Sequence, residues 1–120
     1  MLVERWKWIR VRDPVVLQLR EGAVVRSMVG SAQICWVRHD GQLHALEDRC
    51  PHQGAALSFG QLEDGLLVCP LHRYRFDPAT GRSPDGEGER AVLVPLEIRV
   101  DGVYLGRQVM GLRLFGVDVF

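Results

Sequence analysis

Four residues stand out by type and spacing. Cys50 and His52 are separated by one residue, Cys69 and His72 by two, and sixteen residues lie between the pairs. Together they offer a metal centre two thiolates and two imidazoles, one of each from each of two short loops that can close on it from opposite sides. Zinc modules usually take Cys-x-x-Cys from one hairpin and a His pair from a helix. Mixed pairs instead let one iron collect both thiolates and another both imidazoles. The same donors could also hold zinc, in a metal-stapled interaction module.

Pro51 and Pro70 follow the cysteines, and Tyr74-Arg75-Phe76-Asp77 and Thr80-Gly81 follow the second loop. With these the pattern resembles the Rieske [2Fe–2S] ferredoxins, in which two His replace two Cys on one iron of the cluster. The resemblance runs from about Trp6 to Leu105. It implies one [2Fe–2S] cluster held by Cys50, His52, Cys69 and His72. It also implies a Rieske domain over residues 1–106, with a cluster-binding subdomain at about 47–78, followed by an apolar C-terminal extension over 107–120.

The chain departs from the family at three places. The position after the second histidine is commonly Gly in the family and is Arg73 here. High-potential members set a Ser and a Tyr hydroxyl against the cluster and ligand sulfurs. Those positions hold Tyr74 and Phe76, which implies a potential at the low end of the Rieske range. Quinol-oxidising relatives tie their loops with a disulfide, whose positions are Ala55 and Leu71 here. Neither can cross-link.

The chemistry follows from the ligand types. Thiolates stabilise ferric iron and carry charge, whereas a neutral imidazole does not, so two His make the cluster less anionic and easier to reduce. At the loop tips, His52 and His72 would each bind through one nitrogen and show the other to solvent, as the electron exit. Pro51 and Pro70 stiffen the turns and Gly54 allows close approach of the backbone. Leu57 and Leu71 are expected to shield the centre from water. Arg73 is expected either to pair with a carboxylate such as Asp77 or to stand exposed and steer an acidic partner.

Composition narrows the class. At 120 residues the chain is one domain, large enough for a core without disulfides. Hydrophobic residues make up 47% and charged residues 25%, and fifteen basic residues balance fifteen acidic ones. No global field recruits nucleic acid or an anionic membrane, and no apolar run approaches the roughly 20 residues that span a bilayer. The N-terminal segment lacks an export signal. With Cys35 as the one cysteine outside the motif, a cytoplasmic location is expected. Cys35, in an apolar run, reads as a buried inert thiol. His39 and His44 read as surface strand residues, and Trp6, Trp8 and Trp36 as core or edge packing.

The elements that must position the ligands are strands. Trp6–Arg12, Ala23–Met28, Gln33–Arg38, Gln42–Leu46, Leu66–Val68, Leu96–Val100 and Val103–Leu105 are β-rich runs, and no stretch carries a helical period. Gly30-Ser31 marks one hairpin. Asp40-Gly41, Asp64-Gly65 and Asp101-Gly102 mark three more, because type I′ turns need two residues that tolerate positive φ. The pattern predicts an all-β fold: an antiparallel sandwich or barrel base with a small inserted subdomain of two metal loops. Ser83–Glu89 reads as a polar surface loop. Val109–Phe120 is expected to dock on its own domain as a strand or flap, the alternative being edge pairing with another subunit.

A cluster carries one electron and little else. An oxygenase would need a further mononuclear iron site, typically two His and a carboxylate, and only His39 and His44 remain outside the motif. The chain therefore reads as a non-enzymatic carrier. The resemblance implies a soluble ferredoxin that takes electrons from an NAD(P)H-dependent flavoprotein reductase and delivers them to a terminal oxygenase. The alternative is a small subunit or electron-transfer module of an assimilatory nitrite reductase, with that enzyme's large subunit as partner.

Overall fold

The structure, a computed structural model, describes residues 1–52, 54–84, 89–114 and 117–118. Among these residues ten strands form three antiparallel sheets. The first joins β1 (Leu2–Arg10), β8 (Leu96–Arg99), β9 (Gly102–Leu114) and β10 (Val117–Asp118), with β9 at its centre. The second is the meander β2 (Val24–Val29), β3 (Ala32–His39) and β4 (Gln42–Glu47). The third is β5 (Gln61–Glu63), β6 (Leu66–Val68) and β7 (Arg75–Phe76).

β3 explains how the layers stack. Its burial does not alternate, because Ile34, Cys35, Trp36 and Val37 are all buried. Ile34 and Trp36 face one core, with Val11, Val16, Val29, Ala45 and Leu105, between the first and second sheets. Cys35 and Val37 face the other, with Leu46, Leu57, Leu67, Phe76 and both motif cysteines. A strand buried on both faces reads as an unbroken apolar run, which is what Ile-Cys-Trp-Val is. The metal loops therefore grow from the far side of the same strand that anchors the base.

Turn chemistry fixes the registers. Asp40 (φ 51°) with Gly41 (φ 75°), and Asp64 (φ 51°) with Gly65 (φ 79°), adopt the paired left-handed conformations expected of Asp-Gly hairpins. Glu21 reaches over the first of these turns and accepts the N–H groups of Asp40 and Gly41, at 2.7 and 2.8 Å. Asp101-Gly102 differs, since of the two only Gly102 has positive φ. It still joins β8 to β9, pairing Arg99 with Gly102.

Three features depart from the sequence expectations. A one-turn helix, α1 (Pro14–Leu17), exists although no helical period announces it: the Asp13 carboxylate caps Val15 N–H and proline occupies the first turn. β1 begins at Leu2 and pairs along its whole length with β9, from Leu2↔Leu112 to Arg10↔Tyr104. β9 continues unbroken to Leu114 and β10 folds back onto it at Arg113 and Leu114, so the described part of Val109–Phe120 docks on its own domain as expected, while position 107, where the extension was expected to begin, falls inside a paired strand. The remainder of the expected flap, and residues 85–88 of the expected polar loop, lie outside the described residues.

Candidate metal centre

The first loop leaves β4 and runs through Cys50 and His52 to a 3-10 turn, Leu57–Phe59. The second spans the gap between β6 and β7 and carries Cys69 and His72. The two are built alike. Cys50 N–H donates to Ala55 O and Cys69 N–H to Tyr74 O, both at 2.7 Å, so each loop closes on the carbonyl five residues after its cysteine. The second loop has further closure from the strand pair Val68↔Arg75.

Sequence reasoning names four residues, and the fold brings the two cysteines into contact with each other and the two histidine rings into contact with each other. Both cysteines are buried, at 1% and 0% exposure. Their side chains interact: Cys69's thiol is pushed up to about 11, mainly by burial, with Cys50's thiol pushing the same way and the Leu71 N–H opposing. The rings of His52 and His72 meet edge to face with centroids 5.8 Å apart. His72 is exposed, whereas His52 is half-buried and its Nδ1 is fully buried with no hydrogen-bond partner. A buried imidazole nitrogen without a partner costs free energy unless something binds it. Two buried thiols whose side chains interact, and two imidazoles whose rings meet, are donor types that fit a two-iron group taking two thiolates and two imidazoles.

The supporting residues fall unevenly. Leu57 is fully buried beneath the first loop, and Leu71 is 41% exposed. The ring of Tyr74 lies 4.1 Å from that of His52, tilted by 30°. Phe76 is buried in the core that holds both cysteines. Arg73 pairs not with Asp77 but with Glu63, Nη2 to Oε2 at 2.6 Å. Asp77 instead folds its own turn, its carboxylate accepting Ala79 N–H at 2.8 Å. Nothing in the sequence signals the Glu63 pair, since it depends on how the β5–β6 hairpin leans on the second loop.

The other candidates take structural places. Cys35 is fully buried and its thiol is raised to about 12, chiefly by burial. Trp36 is fully buried, and the exposed Trp6 stacks on Trp8. His39 and His44 are half-buried rather than on the open surface, and burial lowers the pKa of His44. His39 sits near the carboxylates of Glu21 and Asp40, at 3.8 and 3.4 Å.

The Rieske [2Fe–2S] domain family matches residues 7–97. The chain belongs to this family. It carries one [2Fe–2S] cluster. The ferredoxin component of the alkene monooxygenase system of Xanthobacter autotrophicus is 32% identical over 67% of this chain, and the match spans 66% of that relative's length. A chain of the complex of reduced oxygenase and oxidised ferredoxin in carbazole 1,9a-dioxygenase superposes with a TM-score of 0.65 at 26% identity, covering 83% of this chain and 91% of that one. A putative NADH-dependent nitrite reductase small subunit from Mycobacterium tuberculosis shares the fold, with a TM-score of 0.67 at 20% identity over 88% of this chain and 96% of that one. Among the described residues no helix is long and apolar enough to cross a membrane.

Proposed function

We propose that this Rieske protein is a one-electron carrier that accepts electrons from an NAD(P)H-dependent flavoprotein reductase and delivers them to a terminal oxygenase, with no catalytic step of its own. Cys50 and Cys69 would hold one iron of the cluster, and His52 and His72 the other. When bound, the cluster supplies reversible one-electron exchange at a potential raised by its two neutral imidazoles. The observation that supports the ligand assignment is the buried, partnerless Nδ1 of His52, on a ring in contact with that of His72.

The chain's own residues do the rest. Both thiols must give up a proton to serve as ligands, so loading releases protons. Leu57 closes the inner side against water, while the exposed His72 leaves an imidazole edge at the surface for a partner to approach. Tyr74 braces the ring of His52. A carrier needs an electron exit at the surface and no substrate cavity beside the metal, and this loop pair provides the first.

Iron and acid-labile sulfide assays should give two of each per chain, and the reduced protein should show a rhombic Rieske EPR signal. Stoichiometric zinc without iron would sink the ligand assignment. His52→Ala should lose the cluster. Reconstitution with a purified reductase and oxygenase tests the partners: NAD(P)H-driven product formation that depends on this chain supports them, and transfer only to a nitrite reductase large subunit overturns them.

A further inference from the structure

The first metal loop lacks the strand pair that closes the second, and a buried carboxylate stands in that place. Asp48 lies two residues before Cys50, and its side chain has no solvent exposure. Its Oδ1 accepts Ser58 N–H at 2.7 Å. Its Oδ2 accepts the Ser58 hydroxyl at 2.6 Å and Arg26 Nε at 2.5 Å. Ser58 sits in the 3-10 turn at the far end of the loop, so one carboxylate joins the segment entering Cys50 to the segment leaving His52. Arg26 belongs to β2, which ties the joint to the base sheet, and its guanidinium lies 5.0 Å from the ring of the exposed Phe59.

We propose that Asp48 is a positioning residue for the metal centre: its carboxylate, paired with Arg26, clamps the Cys50–His52 loop shut from a place two residues before Cys50 in the chain. This rests on the reading of Cys50 and His52 as ligands. Three donors on one desolvated carboxylate are more than chain geometry requires. Among the described residues, the remaining closure of this loop is the Cys50–Ala55 backbone bond and its neighbour Gly54 N–H to Cys50 O. Hydrogen bonds to an ionised acceptor are the strong ones, and an outer group that orients a ligand loop governs how firmly the metal is held.

The test uses the cluster-loaded protein and two variants. Ser58→Ala removes one donor and leaves the Ser58 N–H bond. The half-life of the cluster absorbance under a chelator should shorten roughly tenfold, the scale for losing one bond to a charged group, and the EPR g-values should move. Ser58→Thr, which keeps the hydroxyl, should restore both. Parental g-values and parental cluster lifetime in Ser58→Ala, with only a lower melting temperature, would overturn the proposal. A parental protein without a Rieske EPR signal would defeat the ligand assignment, and the positioning role that rests on it.

Discussion

Arg73 occupies in the second metal loop the place that Gly54 occupies in the first. Each stands four residues after its cysteine, in the left-handed conformation, with φ of 55° and 77°. His72 beside Arg73 is left-handed as well, at φ 60°. The turn geometry therefore asks for glycine after the second histidine, and this chain answers with an arginine held by Glu63.

Magnitudes decide what Arg73 does. Left-handed backbone costs a non-glycine residue roughly 1–2 kcal/mol. The ion pair that offsets it has side chains 68% and 36% exposed, so it contributes at most about 1 kcal/mol. Glycine relieves the strain but loses more chain entropy, about 0.5–1 kcal/mol. Arg73→Gly should then leave stability within about 1 kcal/mol of the parent, whereas Arg73→Val, which keeps the strain and loses the pair, should cost about 2 kcal/mol. Because Glu63 already neutralises the guanidinium, removing both charges in an Arg73→Gly/Glu63→Gln variant should leave electron transfer near the parental rate with an unchanged salt dependence. A clear loss of rate at low salt would restore the steering role.

The midpoint potential should lie nearer to about −150 mV than to +300 mV, the ends of the Rieske range. Phe76 packs in the core that holds both cysteines and offers no hydroxyl to a sulfur. Tyr74 is turned onto the ring of His52. Phe76→Tyr should raise the potential measured by protein-film voltammetry, since a hydroxyl at that buried position stabilises the reduced state. No rise would mean that the added hydroxyl points elsewhere.

Legibility in the sequence followed the range of the interaction. The cysteine and histidine spacing and the Asp-Gly turns are local patterns that encode their own geometry, and they foretold the loops and the hairpins at Asp40-Gly41 and Asp64-Gly65. The Asp13-Pro14 cap was a visible helix signal, but a four-residue helix is too short to show a period. The long partnership of β1 with β9 joins residues about a hundred positions apart, and no local pattern marks its register. The Glu63–Arg73 pair and the Asp48 clamp were hidden for the same reason. Each joins residues ten positions apart across loops whose paths only the folded core defines.

Gly81→Ala should be among the most damaging small changes outside the motif. Gly81 has φ 76°, and a Cβ built there would lie 2.2 Å from Ala91 O. Its own N–H bonds Asp77 O at 2.7 Å and its carbonyl accepts Ala91 N–H at 2.9 Å, so the backbone has no room to give. Strain and overlap together should cost about 3 kcal/mol, which for a domain of this size lowers the melting temperature by roughly 10 °C. A melting temperature within 2 °C of the parent, about 0.5 kcal/mol, would show that the segment carrying Ala91 moves aside freely.

Cys35 supplies a pH dependence with a definite sign. Burial raises its thiol from 9.0 to about 12, Asp48 pushing the same way and Arg26 opposing. The folded state therefore holds the proton more tightly than the unfolded chain does. Below pH 9 both states are protonated and the full stability is present. Between pH 9 and about 12 the unfolded chain loses its proton first, so stability falls as pH rises through that window. Cys35→Ala removes this dependence and costs only a small cavity. The parent should therefore lose melting temperature faster than Cys35→Ala on going from pH 8 to pH 11, with the two curves parallel below pH 8. Below pH 9 the native thiol should also resist alkylation, because the reactive species is the thiolate. Parallel melting curves across the whole range, or rapid alkylation of Cys35 in the folded protein at pH 8, would show that the thiol is not sealed in the core beneath the metal loops.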